Sequence, residues 1–264
     1  MSDTGKIYRL ARLVLLAPLL WAMPALLHAQ TAPVSSVLTV ERSSYGWSES
    51  ANMAAPENAL AKTDIERPDI SRYAVKSSVT QAARPGNATD SYGPFRVVNA
   101  QRAEVLGDIN SGAAQLFANM LSRHPGISRI DFIDCPGTND DAAIFAIARM
   151  IRARNIATHV PDGGFVGSGG VDLFLAGAIR SAAPSAEFAV HSWIDQNGMQ
   201  AGDFAIGDPV HQEYLSYYRE IGMEREKALA FYRLTNSAPF EDALYLKPHD
   251  IAQFIPLRQA TLYP

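Results

Sequence analysis

Three observations predict that this chain of 264 residues folds as an α/β protein of repeated strand–helix units. From Phe95 onward, short apolar runs alternate with segments of helical periodicity, the pattern of strands joined by helices. Caps, prolines and glycines punctuate these segments at the places where helices start and stop. About 170 residues then remain for the domain, enough for one sizeable core.

The elements follow in order. Phe95 to Asn99 and Ala103 to Leu106 read as short strands, and Asn110 to Leu121 as a helix ended by His124-Pro125-Gly126. Ile130 to Ile133 is a strand running into Cys135-Pro136-Gly137. Thr138 is placed to cap the next helix, with Asp141 at the positive end of its dipole. Ile144, Ile147, Ala148 and Ile151 in that helix have the i, i+3, i+4, i+7 spacing of a core-facing stripe. Ile156 to Val160 is a strand, Gly163 to Gly167 a loop, Gly169 to Arg180 a helix and Glu187 to His191 a strand. Asp208-Pro209 opens a further helix that Gly222 closes.

The first 29 residues are read as a signal peptide rather than as structure. Lys6, Arg9 and Arg12 precede an apolar run from Leu13 to Leu27, which contains Pro18 and Pro24 and is short for a membrane span. Ala29 is the expected cleavage residue, which makes the protein periplasmic or secreted; a retained membrane anchor is the alternative. Residues 30–92 are rich in Ser, Ala, Thr, Pro and Asn and are expected to form a linker or flexible arm, with Val37 to Val40 as an edge-strand candidate. The domain is expected over 93–264.

Composition narrows the function. The formal net charge is −4, and loss of residues 1–29 removes more positive than negative charge, so no basic patch for nucleic acid is expected. Cys135 is the single cysteine, which excludes an internal disulfide. No zinc-ligand spacing is present, and neither a metal nor another cofactor is expected.

The segment Gly167-Ser168-Gly169-Gly170 carries the chemistry. As a dinucleotide fingerprint it fails, because Asp172 stands where the third glycine belongs. A phosphate loop would need a Gly-Lys-Ser/Thr ending, and the hydrolase elbow G-x-S-x-G would need glycine in place of Val166. What remains is a serine at a helix start, with His191 at the end of a later strand as its natural base. Glycines serving only close helix–sheet packing are the bland alternative.

Four ordered pieces resemble the proteolytic subunit of Clp protease and its crotonase-like relatives over Phe95 to about Ile255. Ile133-Asp134-Cys135-Pro136-Gly137 is similar to that family's strand ending in Ser-Pro-Gly-Gly, and Ser168 to Ala178 to its nucleophile helix. Glu187 to His191 is similar to its histidine strand and Leu246 to Ile255 to its closing helix. The resemblance implies a ClpP/crotonase-like fold and a serine peptidase acting on peptide or unfolded protein. Ser168 would be the nucleophile, His191 the general base, and the N–H groups of Gly137 and Gly169 the oxyanion hole. Thr138 stands where the family has a second loop glycine. Asp242 is the third triad member in this reading, though strict alignment puts Ala243 there and Glu241 and Asn236 are neighbours. Relatives assemble into rings or other oligomers, which extends the expectation of a homo-oligomer to this chain. Two rivals stay open: a catalytically inactive Clp-like binding or assembly module, and a crotonase-type enzyme acting on acyl thioesters.

The remaining candidates have plain readings. His124, His159, His211 and His249 are surface or packing residues, and Cys135 is a buried thiol. Tyr214, Tyr217, Tyr218 and Ile221 form a helical stripe suited to core or subunit contact. A Ser–Lys dyad would require Lys247 to reach back to Ser168.

Overall fold

A computed structural model describes residues 68–259. The expected signal peptide, the Val37 to Val40 strand and residues 30–67 of the arm lie outside this range. The chain forms β1 (Asp90–Tyr92), β2 (Phe95–Val97), β3 (Arg102–Leu106), α1 (Ala113–Arg123), β4 (Arg129–Cys135), α2 (Asp141–Ala153), β5 (Ala157–Val160), β6 (Phe165–Gly167) and α3 (Gly169–Leu175). It continues through β7 (Arg180–Ala182), β8 (Glu187–Val190), α4 (Gln212–Glu220), α5 (Arg225–Thr235), β9 (Leu244–Leu246), α6 (Pro248–Ile251) and β10 (Arg258–Gln259). Short 3-10 turns at Ala201–Asp203 and Pro209–His211 lead into α4.

The strands form one mixed sheet that forks at β4. Its first half pairs with β5 and its last two residues pair with β6, both in parallel. One branch runs β1-β2-β3-β4-β5-β7-β10, and the other continues from β6 to β8 and β9. The α/β architecture of strand–helix units predicted from the sequence is therefore present. The core is apolar and includes Phe95, Phe117, Phe132, Phe174, Phe188 and Phe231, each fully buried. In α2 the predicted stripe of Ile144, Ile147, Ala148 and Ile151 is buried.

Several boundaries differ from the sequence expectation. Asp140, not Thr138, caps α2, its side chain accepting from Ala143 N at 3.1 Å. The loop expected before Ser168 contains strand β6, and α3 stops at Leu175 rather than Arg180. Arg180 to Ala182 pair with β5 instead, so sheet hydrogen bonds replace the extra helical turn. Helix α5 and strand β9 had not been assigned.

The arm expected to extend to residue 92 is folded from residue 68 at the latest. Tyr73 is buried, Ala74 bridges Tyr245, and Asp90 to Tyr92 form the outer strand of the sheet. A buried carboxylate explains the attachment. Glu187, at the start of β8, accepts hydrogen bonds from the Ser77 and Ser78 hydroxyls, from Ser78 N and from Lys247 Nζ at 3.1 Å. Burial raises its pKa, but these hydrogen bonds outweigh burial and hold it below the ordinary glutamate value.

Candidate active site

The fork in the sheet places the predicted nucleophile and base just beyond the ends of neighbouring strands, with no hydrogen bond between their side chains among the described residues. Gly167 on β6 pairs with Ala189 on β8, and Ser168 N donates to Ala189 O at 2.8 Å. Ser168 and His191 thus leave two adjacent parallel strands at the same end. Both line a cavity of about 300 Å³ with Thr138, Gly169 and Asn236.

Ser168 has φ 48° and ψ −132°, a conformation that L residues rarely adopt. Such strain costs about 1–3 kcal/mol and clusters at functional sites. Here it turns the chain sharply from strand into helix, with Ser168 half-buried at the turn. Among the described residues Ser168 Oγ has no hydrogen-bond partner.

The loop after β4 packs directly on this serine. Gly137 has φ 154°, and a Cβ built on it would lie 2.9 Å from Ser168 Cβ and 3.5 Å from Oγ. Only glycine allows that approach. A Cβ on Gly169 would lie 2.4 Å from Thr138 Cγ2, so the threonine methyl fills the space over the first residue of α3. The Thr138 hydroxyl in turn donates to Ile109 O and accepts from Asp140 N at 2.8 Å. Gly169 N–H, the first amide of a helix, has no carbonyl one turn earlier to bond. Both predicted oxyanion-hole glycines therefore lie beside Ser168.

His191 is oriented by the backbone. Its Nδ1 lies 2.8 Å from Ser192 O, and a carbonyl only accepts, so Nδ1 carries the proton. Nε2 is then the unprotonated nitrogen, the form that a general base needs. The edge of the imidazole also meets the Phe240 ring, with centroids 5.1 Å apart.

The predicted third member is elsewhere. Asp242 is an exposed turn residue whose N–H donates to Pro239 O, and among the described residues its carboxylate makes no hydrogen bond to His191. Glu241 is likewise exposed. Asn236 does line the cavity; its Nδ2 donates to Tyr232 O at 2.7 Å, while its buried Oδ1 has no hydrogen-bond partner. Cys135 is fully buried, and burial pushes its thiol up to about 12, so it is no competing nucleophile. Lys247 is engaged with Glu187. Among the described residues no group of metal-ligating side chains is present.

The rest of the cavity is lined by residues with no role in the expected triad. Asp172, one turn after Ser168 on α3, is 8% exposed and accepts from Tyr218 Oη at 2.9 Å. Burial raises its pKa to about 7, with Asp141 adding repulsion. Asp141 itself accepts from Tyr214 Oη at 2.7 Å. Behind them Trp193 Nε1 donates to Tyr232 Oη at 2.8 Å, which meets His211 Nδ1 at 2.7 Å. His211 Nε2 donates to Ala205 O at 3.0 Å, so this buried histidine is a satisfied packing residue. The i, i+4 spacing of Ser168 and Asp172 was the available sequence signal.

No family model matches this chain, and no curated protein matches it. Its structure is similar to solved structures of proteases. One is ClpP1 from Listeria monocytogenes, in a mutant form, at 18% identity and a TM-score of 0.45, covering 61% of this chain and 90% of that one. Another is a 1510-N membrane protease specific for a stomatin homolog from Pyrococcus horikoshii, at 16% identity and a TM-score of 0.39, covering 59% and 70%. A mutant of the 1510-N membrane-bound stomatin-specific protease gives 16% identity and a TM-score of 0.42, covering 59% and 76%. The likeness is one of fold.

Proposed function

We propose that this protein is a serine peptidase of Clp type that cleaves peptide bonds through an acyl-enzyme. The observation that carries the proposal is a strained Ser168 sharing one cavity with a His191 whose Nδ1–H is fixed on Ser192 O. His191 Nε2 takes the Ser168 proton as Oγ attacks the carbonyl, and returns it to the leaving amine. Gly169 N–H stabilises the oxyanion at the helix start, and Gly137 N–H is the second donor in this reading. Ser192 O does part of an aspartate's work: it sets the tautomer, but as a neutral group it stabilises imidazolium less.

A fluorophosphonate probe is expected to label the wild-type protein and to fail on Ser168→Ala. Equal labelling of both would overturn the reading. It would then favour the rival of an inactive Clp-like module, which the lack of a carboxylate on His191 among the described residues also supports. Export is part of the proposal. N-terminal sequencing of the exported fraction is expected to find Gln30 first, and an intact Met1 there would refute cleavage.

A further inference from the structure

We propose that the cavity beside Ser168 is a cation-selecting specificity pocket, in which Asp172 receives the Lys or Arg side chain on the acyl side of the scissile bond. This rests on the peptidase reading, because that side chain is attached one bond from the carbonyl that Ser168 attacks.

Position comes first. Asp172 lies in the first turn of α3, four residues after its N-cap Ser168, and both line the cavity. Asp172 is more than nine-tenths buried, yet only one of its carboxylate oxygens is hydrogen-bonded, to Tyr218 Oη. Among the described residues it forms no salt bridge, and no lysine or arginine lines the cavity. Buried carboxylates are ordinarily paired with a cation. Here the cation is missing from the protein and the carboxylate opens onto a cavity.

The walls suit the same guest. Trp193, Tyr214, Tyr218 and Tyr232 line the cavity, and aromatic rings suit both an aliphatic stem and a cationic head. Asp141 adds a second negative group on the same wall. An acidic or phosphorylated guest would meet both carboxylates, which also argues against an acyl-coenzyme A substrate. A purely apolar guest would cover Asp172 without giving it a partner.

Binding separates this proposal from the peptidase reading. Titration of p-aminobenzamidine into wild type and Ser168→Ala is expected to give saturable binding to both, weakened roughly 10- to 100-fold in Asp172→Asn. The neutral isostere p-aminobenzamide on wild type, which needs no variant to fold, should bind weaker by a similar factor. Equal binding of the charged and neutral probes, or equal binding by wild type and Asp172→Asn, overturns the pocket. If the protein cleaves peptides, the ratio of kcat/KM for lysine over norleucine at the acyl position should exceed about ten in wild type and collapse in Asp172→Asn. A wild-type preference for norleucine overturns the proposal. Probe binding without cleavage of any peptide would leave the pocket standing and sink the peptidase reading.

Discussion

Replacing Asp172 by Asn tests the electrostatics of the cavity through stability alone. The substitution keeps the shape and an oxygen for Tyr218 Oη while removing the ionisation. In the folded protein the Asp172 pKa is raised from 3.8 to about 7, mainly by burial. A group whose folded pKa is raised in this way binds more protons folded than unfolded between those values. Its ionisation therefore costs stability as pH rises from about 4 to about 7, and the cost is complete above pH 7. Three pKa units at 1.36 kcal/mol each give about 4 kcal/mol as the upper end of the effect. Urea unfolding of wild type and Asp172→Asn across pH 4 to 8 reads it directly. Near pH 4 the two should have similar stability; by pH 8 the variant should be the more stable by a few kcal/mol. Contributions from other carboxylates are common to both proteins and cancel in the difference. A difference independent of pH would refute the reasoning, because it would show that Asp172 titrates at its ordinary value.

The remaining expectations are simpler. Asp242→Ala should change turnover less than twofold, because the exposed carboxylate makes no bond to His191; a loss of tenfold or more would restore Asp242 to the triad. Glu187→Ala should destabilise the protein by about 3 kcal/mol at pH 7, since it strands Lys247 and the hydroxyls of Ser77 and Ser78. Glu187 has a lowered pKa, so its contribution should be present above about pH 4.3 and fade as pH falls below it, measurable by thermal unfolding. Cys135 should resist an aromatic disulfide reagent in the native state and react on unfolding; rapid native labelling would contradict its burial.

The parts of this fold that could be read from the sequence are those whose cause is local. Helix α2 was legible because an acidic first turn and a buried isoleucine stripe agree, although its cap is Asp140 rather than Thr138. Ser168 and His191 were legible because a glycine-flanked serine and a strand-end histidine carry their chemistry on their own neighbours. Helix α3 ends earlier than the sequence predicts: Gly177 is a weak local stop in an otherwise apolar run. Its end is set by Thr158, whose hydroxyl takes Phe174 O and whose side chain leaves no room for a Cβ on Gly177. Helix α5 hides its buried face, Ala228, Phe231 and Tyr232, among charged residues. The partner of His191 Nδ1 could not be read at all. A backbone carbonyl leaves no trace in residue identity, so attention went to the carboxylates of the chain. Asp172 was visible as a failed glycine in a nucleotide motif, but its cavity is made by α2, α3, α4 and α5 together.

The contact between Thr138 and Gly169 has a consequence for how this site can change. With the threonine methyl in place, any side chain at 169 collides with it, and so the first amide of α3 is tied to glycine. Remove the methyl by Thr138→Gly, and Gly169→Ala gains room that it lacks alone. The two positions are epistatic: the order in which substitutions arrive decides which are tolerated. A library that varies one position at a time would score 169 as immutable, when the tightest constraint belongs to the pair and Ile144 Cγ1, at 3.3 Å, is the next neighbour to give way.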